Sequence, residues 1–529
     1  MVLSRSIVII ATAVASAIQT QLACAEGSHW QDEGRAALAE ARRLGSTPTR
    51  AKNVILFVGD GMGITTVTAA RILEGQLRGE SGEENLLSFE RFPHVALTKT
   101  YNTNQQTPDS AGTITALVTG AKTRAGVLSV DEFVERGDFE AVDDHRLTTI
   151  VETAEDRGMS TGLVTTTSVT HATPAALYAH SPERGWESDT KLSRKARAAG
   201  FPDVARQLIE FDHGDGLEVV LGGGEQHFRP SGPDASEFWP ADTPQTALRT
   251  DGRDLTAEWV ARRPGSAYVR TCAELDAVEL DEATHLLGLF APKHLRYEAD
   301  RAKGVPCQPS LTQMTNTALS ILERNPRGFF LMVEGGRIDH AHHESNAYRA
   351  LTDMIEFARA VDAAAKRTNV NDTLIVVTAD HGHVFTFAGY PTRGNDILGL
   401  VIGNDPRGNP SKKLEHDGLG LPYTTLGYQN GPGYPGATAQ QPEGVKHYPH
   451  DAAEFRGVTK GRPNLSSVNT ADPDHLQEGA IPMAYETHSG EDVPVYARGP
   501  GSQLFHGVQE QNFVFHAMVE ALGWNRSAD

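Results

Sequence analysis

The stretch Thr373-Leu374-Ile375-Val376-Val377-Thr378-Ala379-Asp380-His381 is a run of apolar and β-branched residues that ends in a carboxylate and an imidazole. A continuous apolar run of this length is typical of a strand that is buried on both faces in a parallel sheet. In such sheets, ligands bind at the carboxyl ends of the strands. Asp380 and His381 therefore predict a functional site at one edge of a buried sheet.

Other runs along the chain share this design. Each is apolar and leads into polar residues: Val54–Val58 into Asp60, Gly162–Val164 into the segment from Thr165 to His171, and Phe329–Val333 into Glu334. Helix-like segments at 147–157, 311–324 and 347–367 alternate with the runs. This alternation predicts an α/β fold, a three-layer sandwich with a large, mostly parallel central sheet and helices on both faces.

The composition is that of an ordinary globular protein with an acidic surface. Of 529 residues, 39% are hydrophobic and 22% are charged, and the formal net charge is −20. This charge argues against nucleic-acid binding and favours a cationic ligand or a metal. No stretch after the N-terminal region approaches the roughly 18 consecutive apolar residues that a membrane-spanning helix needs.

Residues 1–25 have the pattern of a cleaved signal peptide. Arg5 precedes the apolar run Ile7–Ala17, and Ala23-Cys24-Ala25 follows as a small-x-small cleavage sequence. The alternative is a lipoprotein with its lipid on Cys24, but Gln21 stands where such signals need an aliphatic residue. We therefore expect cleavage after residue 25 and a periplasmic or secreted mature protein.

Two cysteines remain after this cleavage, Cys272 and Cys307. Outside the cytoplasm the compartment is oxidising, so a pair of thiols with few histidines between them predicts one disulfide rather than a metal site. Two separate buried thiols are the alternative.

Residues 26–529 are predicted to form a single catalytic domain. The polar residues of interest extend from Asp60 to His488 and can converge only if most of the chain contributes to one sheet. A loop-rich surface insertion is expected at about 404–479, where Gly, Pro, Asn and Gln are frequent and periodic apolar residues are few. A smaller insertion is expected at about 228–254.

The stretch Asp339-His340-Ala341-His342-His343 predicts a metal site. Asp339 and His343 are four residues apart, so they share one helical face and can bind one metal ion. Asp60, Asp380, His381 and His488 offer further oxygen and nitrogen ligands from other segments. Any one of these histidines alone would more often be an ordinary hydrogen-bonded residue, and this ordinary role is kept for His342 and His383.

The stretch Thr107-Pro108-Asp109-Ser110-Ala111-Gly112-Thr113 offers a nucleophile, because it leads into a helix-like run that ends at Gly120. A serine at a helix N-terminus lies near free backbone N–H groups, which stabilise an alkoxide or a bound phosphate. The alternative is an ordinary helix N-cap, for which Asp-Ser is equally well suited.

In combination these motifs resemble those of alkaline phosphatases, in the order that the family has them. They are Gly59-Asp60-Gly61-Met62-Gly63, Pro108–Thr113, Val169-Thr170-His171-Ala172-Thr173-Pro174, Val333–His340, Thr378–His381 and Glu486–Asp492. Phe385–Tyr390 and Leu504–Gly507 resemble the branch that includes animal and some marine bacterial enzymes. The resemblance covers about residues 52–524 and implies a broad-specificity phosphomonoester hydrolase, commonly a homodimer, that acts on small-molecule phosphomonoesters and releases inorganic phosphate.

The resemblance also implies a catalytic serine and two zinc ions. Ser110 matches the nucleophile that becomes a phosphoserine. One zinc would be held by Asp60, Asp380 and His381, and the other by Asp339, His343 and His488. Arg184 matches the phosphate-binding arginine through its spacing from His171 and the tryptophan that follows it; Arg194 is the competing candidate.

A third ion is implied by Asp60, Thr173 and Glu334, whose hard oxygen atoms suit magnesium. His171 and His340 stand beside this site as substrate-binding residues, where other family members have aspartate and lysine, so the identity of the third metal stays open. The calcium site of animal relatives is not predicted, because Ala291 and Gln308 replace its expected carboxylates.

Two other classes of function remain as alternatives, a related enzyme on the same scaffold (a phosphodiesterase or a sulfatase) and an inactive binding protein. A phosphodiesterase of the same superfamily typically uses a threonine nucleophile and lacks the pair of Glu334 and Thr173. A sulfatase would need a formylglycine sequence that Ser110-Ala111-Gly112 does not provide. An inactive extracellular phosphate- or metal-binding protein would have lost Ser110, Arg184 or a zinc ligand, and none of these is missing.

Overall fold

The computed structural model describes residues 50–231, 248–304, 306–438, 441–449, 455–456 and 462–524. The predicted signal peptide and part of the smaller predicted insertion lie outside these residues. The strands in chain order are β1 (Asn53–Gly59), β2 (His94–Lys99), β3 (Ser160–Ser168), β4 (Val219–Gly223), β5 (Ser266–Val269), β6 (His285–Leu289), β7 (Phe329–Glu334), β8 (Thr373–Ala379), β9 (Gly382–His383), β10 (Phe385–Phe387), β11 (Ile402–Asn404), β12 (Pro410–Leu414), β13 (Leu426–Gly431), β14 (Ala437–Thr438), β15 (Phe455–Arg456), β16 (Gly479–Pro482), β17 (His488–Ser489), β18 (Val493–Arg498) and β19 (Val508–Glu510).

The α-helices lie between these strands. They are α1 (Ile64–Leu77), α2 (Ser110–Thr119), α3 (Ile150–Asp156), α4 (Ala172–Ala175), α5 (Arg194–Ala198), α6 (Val204–Glu210), α7 (Leu255–Arg262), α8 (Cys272–Asp276), α9 (Glu298–Arg301), α10 (Leu311–Leu322), α11 (Arg337–His343), α12 (Ala347–Arg367) and α13 (Phe513–Ala521). The three helix-like segments of the sequence correspond to α3, α10 and α12.

A ten-stranded sheet forms the centre of the molecule, in the order β19-β2-β18-β8-β1-β7-β3-β4-β6-β5. All neighbouring pairs are parallel except those of β18, which runs antiparallel to β2 and β8. The prediction of a large, mostly parallel sheet is confirmed. β1, β3, β7 and β8 are adjacent, and every residue in these four strands is buried, which explains the continuous apolar runs of β1, β7 and β8. In β3 the run is limited to Gly162–Val164, and the buried residues on either side of it are Ser and Thr.

Helices cover both faces of this sheet, as a three-layer sandwich requires. In β1, Ile55 and Phe57 pack in the layer that contains α1, α10 and α12. Val54, Leu56 and Val58 point to the opposite layer, with α2, α3, α6, α7 and α13. Burial of each such apolar side chain stabilises the fold by about 1.5–3 kcal/mol, because it removes apolar surface from water.

The segment of the predicted 404–479 insertion contains short strands as well as loops. β13 pairs with β10 and β16 in a separate three-stranded sheet, and β11 pairs with β12. These pairings bring residues on both sides of the insertion into one small sheet. The boundaries of the insertion, and the single domain over residues 26–529, stay predictions.

The predicted disulfide is present between Cys272 and Cys307, whose Cα atoms are 5.5 Å apart. The two residues are 35 positions apart in sequence. A bridge that closes a loop of this length stabilises a fold by about 3–4 kcal/mol, chiefly by restricting the unfolded chain. The bridge fixes the segment that follows β6.

Candidate active site

Strand register brings the predicted carboxylates together. Gly59 pairs with Ala379, so Asp60 and Asp380 leave adjacent strands at the same level. Glu334, the last residue of β7, pairs with Val58 on one side and Thr165 on the other. These side chains meet because the strands are parallel and end together.

A tight turn after β1 lets other chain segments approach Asp60. Gly61 has φ +70°, and a Cβ atom at this position would lie 2.4 Å from His383 Nε2. Its backbone N–H donates to Asp380 Oδ1 at 3.1 Å. The glycine therefore permits a backbone conformation and a close contact that a larger residue would not.

Ser110 is the first residue of α2 and is only 2% exposed. Asp109 is the N-cap, and its carboxylate accepts from the backbone N–H of Gly112 at 3.1 Å. Asp109 therefore caps the helix, as the alternative interpretation predicts, and the serine hydroxyl is left for another contact. Ser110 Oγ lies 3.1 Å from His381 Nε2.

Asp60, Asp380 and His381 form the first group with metal-ligand geometry. His381 Nε2 lies 3.4 Å from Asp60 Oδ1 and 3.3 Å from Asp380 Oδ2. All three side chains are fully buried. Asp380 is oriented by the backbone N–H groups of Gly61 and His381, both of which donate to its Oδ1.

Asp339, His343 and His488 form the second group. His343 and His488 each have Nε2 at 3.3 Å from Asp339 Oδ1, and the two Nε2 atoms are 3.1 Å apart. Each Nδ1 contacts a backbone carbonyl, that of Glu486 for His343 at 2.5 Å and that of Pro108 for His488 at 2.8 Å. A carbonyl only accepts, so each Nδ1 carries a proton, and the Nε2 lone pair of each neutral ring points into the group.

A third group consists of Asp60, His171 and Glu334. Thr173 Oγ1 lies 3.5 Å from Asp60 Oδ2. Thr165 and Thr167 donate hydrogen bonds to Glu334 Oε2, the latter at 3.1 Å. Neither of these hydrogen bonds involves Glu334 Oε1, which has no hydrogen-bond partner among the described residues.

Arg184 lies at this third group and Arg194 does not. Arg184 Nη1 is 3.2 Å from Asp109 Oδ2, and Nη2 is 3.3 Å from His171 Nε2. Arg194 begins the short helix α5 and is exposed. The His340 ring contacts the His171 ring, with centroids 5.4 Å apart.

The chemistry of these groups fits metal ions. Among the described residues, four buried atoms at the site have no hydrogen-bond partner: Asp60 Oδ1, Glu334 Oε1, His171 Nδ1 and His381 Nδ1. Burial, followed by the charges of Asp380, Asp339 and Glu334, raises the pKa of Asp60 well above its usual value. Burial also raises the pKa of Glu334 to about 7. Neighbouring buried carboxylates and converging lone pairs repel one another unless a cation binds between them.

Sequence reasoning did not place His383 and Glu486 in contact with the second group. His383 is a buried, hydrogen-bonded residue, as its predicted ordinary role requires, and it bridges Asp339 Oδ1 at 2.9 Å and Glu486 Oε2 at 2.5 Å. Burial alone would lower the pKa of His383, yet Glu486 and Asp339 raise it to about 10. The sequence did contain a signal that His383 lies near the site, because it is two residues after His381 at the edge where β8 ends. His342 is buried against Thr66 and Tyr428 and keeps its ordinary role.

Comparison with known proteins agrees with this geometry. The family model described as alkaline phosphatase matches residues 51–524. The chain is 44% identical to the tissue-nonspecific isozyme of alkaline phosphatase from Gallus gallus, over 94% of this chain and 90% of that one. The solved alkaline phosphatase of Thermus thermophilus is 26% identical with a TM-score of 0.61, and the match covers 92% of this chain and 94% of that one.

A second solved relative is the TAB5 alkaline phosphatase, in a histidine-to-aspartate mutant with magnesium bound. It is 22% identical with a TM-score of 0.57, and the match covers 91% of this chain and 100% of that one. This chain belongs to the alkaline phosphatase family. It is accordingly a metal-dependent enzyme that hydrolyses phosphomonoesters.

Proposed function

We propose that the enzyme transfers the phosphoryl group to Ser110, with two zinc ions and one magnesium ion bound beside it, and then releases inorganic phosphate. The observation that carries the proposal is the arrangement around Asp339. Two imidazole lone pairs 3.1 Å apart face one carboxylate oxygen, and backbone carbonyls fix both tautomers. Two imidazoles and a carboxylate in this orientation suit a zinc ion with an open coordination position.

Ser110 is placed to act as the nucleophile. Its hydroxyl lies at the N-terminus of a ten-residue helix, where the helix dipole stabilises a developing negative charge. His381 lies next to the hydroxyl. It belongs to the group with Asp60 and Asp380 and also to a group with Asp339, His383 and His488. Zinc bound to these residues would lower the pKa of nearby hydroxyl groups and stabilise negative charge.

Arg184 is proposed to bind two oxygens of the phosphate. Its guanidinium has a planar fork of donors that suits a phosphate, and its present partners Asp109 and His171 hold it beside α2. The arginine thereby orients the phosphoryl group for attack by Ser110. His171 and His340 are proposed to bind the substrate from the side of the third metal.

The third site is expected to select its metal poorly, because His171 is a softer donor than the aspartate of other family members, and His340 is a neutral imidazole where they have a positively charged lysine. The double substitution His171→Asp with His340→Lys should retain magnesium better and tolerate excess zinc about tenfold better. The TAB5 mutant, in which aspartate replaces a histidine, was solved with magnesium bound. Activity and metal content are measured during a zinc titration at fixed magnesium; identical zinc-inhibition curves and occupancies in both proteins would contradict this prediction.

The proposal also covers the cellular location of the protein and its oligomeric state. Residues 1–25 are proposed to direct the protein to the periplasm or the exterior, and the family resemblance supports a homodimer. Within the described ranges, none of the helices has both the length and the apolarity that crossing a bilayer requires.

A substrate panel tests the proposed function. The purified protein is assayed on a chromogenic phosphomonoester, the matching phosphodiester and the matching sulfate. Hydrolysis of the monoester should exceed that of the other two by orders of magnitude. Preference for the diester would favour the phosphodiesterase alternative, and no hydrolysis would favour the inactive binding protein.

A further inference from the structure

Glu187 lies three residues after Arg184, in an irregular segment, and belongs to none of the groups described so far. Its side chain is 19% exposed. Glu187 Oε2 accepts a hydrogen bond from Thr170 Oγ1 at 2.6 Å and lies 3.2 Å from His227 Nε2. A carboxylate that is largely removed from water needs such partners, so these contacts fix the position of the Glu187 side chain.

The turn that carries His171 is held from several sides. The backbone N–H of His171 donates to the carbonyl of Ser168 at 2.9 Å, and the backbone N–H of Ser168 donates to His294 Nδ1 at 3.0 Å. Thr170 directly precedes His171, and its hydroxyl lies 2.7 Å from that of Ser168. Since the Thr170 hydroxyl donates its proton to Glu187, the Ser168 hydroxyl donates to Thr170. Glu187 is therefore the acceptor at the end of this chain of hydrogen bonds.

The segment that carries Arg184 is joined to the His171 turn by Glu187. The backbone carbonyl of Glu187 accepts from the backbone N–H of Ala205 in α6 at 3.2 Å, which anchors the end of this segment. The Glu187 side chain then connects the segment to Thr170. The guanidinium of Arg184 and the imidazole of His171 meet across this junction, with Nη2 and Nε2 3.3 Å apart.

The link between the two segments includes a charged group. Burial alone would raise the pKa of Glu187, but His227 and Thr170 lower it to about 2. The Glu187 side chain therefore carries a negative charge at neutral and alkaline pH. An ionised acceptor forms a stronger hydrogen bond than a neutral one, so the link to Thr170 resists displacement of the two segments.

We propose that Glu187 is a positioning residue for phosphate binding, because it holds the His171 turn against the segment that carries Arg184. The inference rests on the proposed role of Arg184. A planar guanidinium must align with two phosphate oxygens at once, so a displacement of about 1 Å between the two segments weakens both hydrogen bonds. Glu187 acts through Thr170 and the backbone, not by touching the phosphate itself.

The test measures the dissociation constant of inorganic phosphate by calorimetry on the enzyme at saturating zinc and magnesium, together with kcat and KM for a chromogenic phosphomonoester. Glu187→Leu removes the acceptor and should raise the dissociation constant about tenfold, with KM rising in parallel. Glu187→Gln keeps an acceptor of the same shape and should recover most of the affinity. A phosphate dissociation constant equal to that of the wild type in Glu187→Leu would overturn the proposal.

A second substitution, Arg184→Lys, distinguishes positioning from a general weakening of the fold. Lysine has no planar fork, so Arg184→Lys alone should weaken phosphate binding about tenfold or more. Adding Glu187→Leu should then raise the dissociation constant less than about twofold further, because the fork that Glu187 orients is gone. A further tenfold loss in that background would show a general structural role and overturn the proposal. Unchanged phosphate binding in Arg184→Lys would instead refute the proposed role of Arg184.

Thr170→Val guards against a Glu187 variant that fails to fold. Valine has nearly the shape of threonine but cannot donate, so this variant should show most of the loss expected for Glu187→Leu. Wild-type phosphate affinity in Thr170→Val would overturn the proposal. The matched control is Glu323→Leu, because Glu323 pairs with Arg367 rather than with a residue of the site. The control should keep the wild-type dissociation constant and KM.

Discussion

Replacement of Ser110 by alanine should lower phosphomonoester hydrolysis by about a thousandfold or more, because it removes the atom that is proposed to accept the phosphoryl group. Metal content should stay at the wild-type level, since Asp60, Asp380 and His381 all remain. The measurement is steady-state kinetics together with metal analysis of the purified protein.

The matched control for this variant is Ser193→Ala. Ser193 caps the short helix α5, where its side chain accepts from the backbone N–H of Ala196, and it has no contact with the metal groups. Its loss should reduce stability by about 1 kcal/mol and leave turnover close to wild type. Near-wild-type turnover in Ser110→Ala with normal metal content would show that another group receives the phosphoryl.

Removal of metal ions should abolish phosphomonoester hydrolysis. The buried carboxylates of Asp60, Asp380 and Glu334 lie close together, and the Nε2 lone pairs of His343 and His488 face Asp339, so bound cations would relieve the repulsion among them. After dialysis against a chelator, zinc and magnesium together should restore more activity than either ion alone, since two kinds of site are proposed.

Adding zinc and magnesium separately to the metal-free protein distinguishes the sites by their ligands. Zinc should restore part of the activity through the groups that contain histidine, and magnesium alone should restore little. Activity that survives exhaustive chelation, with metal analysis confirming removal, would contradict a metal-dependent transfer to Ser110.

Much of the fold follows from local sequence patterns. Continuous apolar runs predicted the buried strands β1, β7 and β8, because strands covered on both faces are typically apolar throughout. The short run Gly162–Val164 predicted only part of β3, whose flanking Ser and Thr residues are also buried. Because Asp60, Glu334 and Asp380 follow the apolar runs, and parallel strands end at the same edge, the sequence also predicted that they lie at one edge of the sheet. The spacing of Asp339 and His343 within α11 was also sufficient to predict that they lie on one face of a helix, since an α-helix has 3.6 residues per turn.

The remaining contacts depend on segments far apart in the chain. His294 and Ser168 are 126 residues apart, and His383 and Glu486 are 103 residues apart. No periodicity links such residues, so a sequence gives no reason to pair them. Gln308 illustrates the same limit: the sequence showed that a carboxylate was missing, but not that its amide joins Phe290 and Arg296.

The most direct test of the central claim is to trap the phosphoenzyme. The protein is mixed with a phosphomonoester or with inorganic phosphate, quenched in acid, digested and analysed by mass spectrometry. A phosphoryl group on Ser110, absent from the same peptide after metal removal, is the predicted result. A phosphoryl group on a different residue, or turnover without any phosphorylated peptide under several quench conditions, would contradict the assignment of Ser110 as the nucleophile.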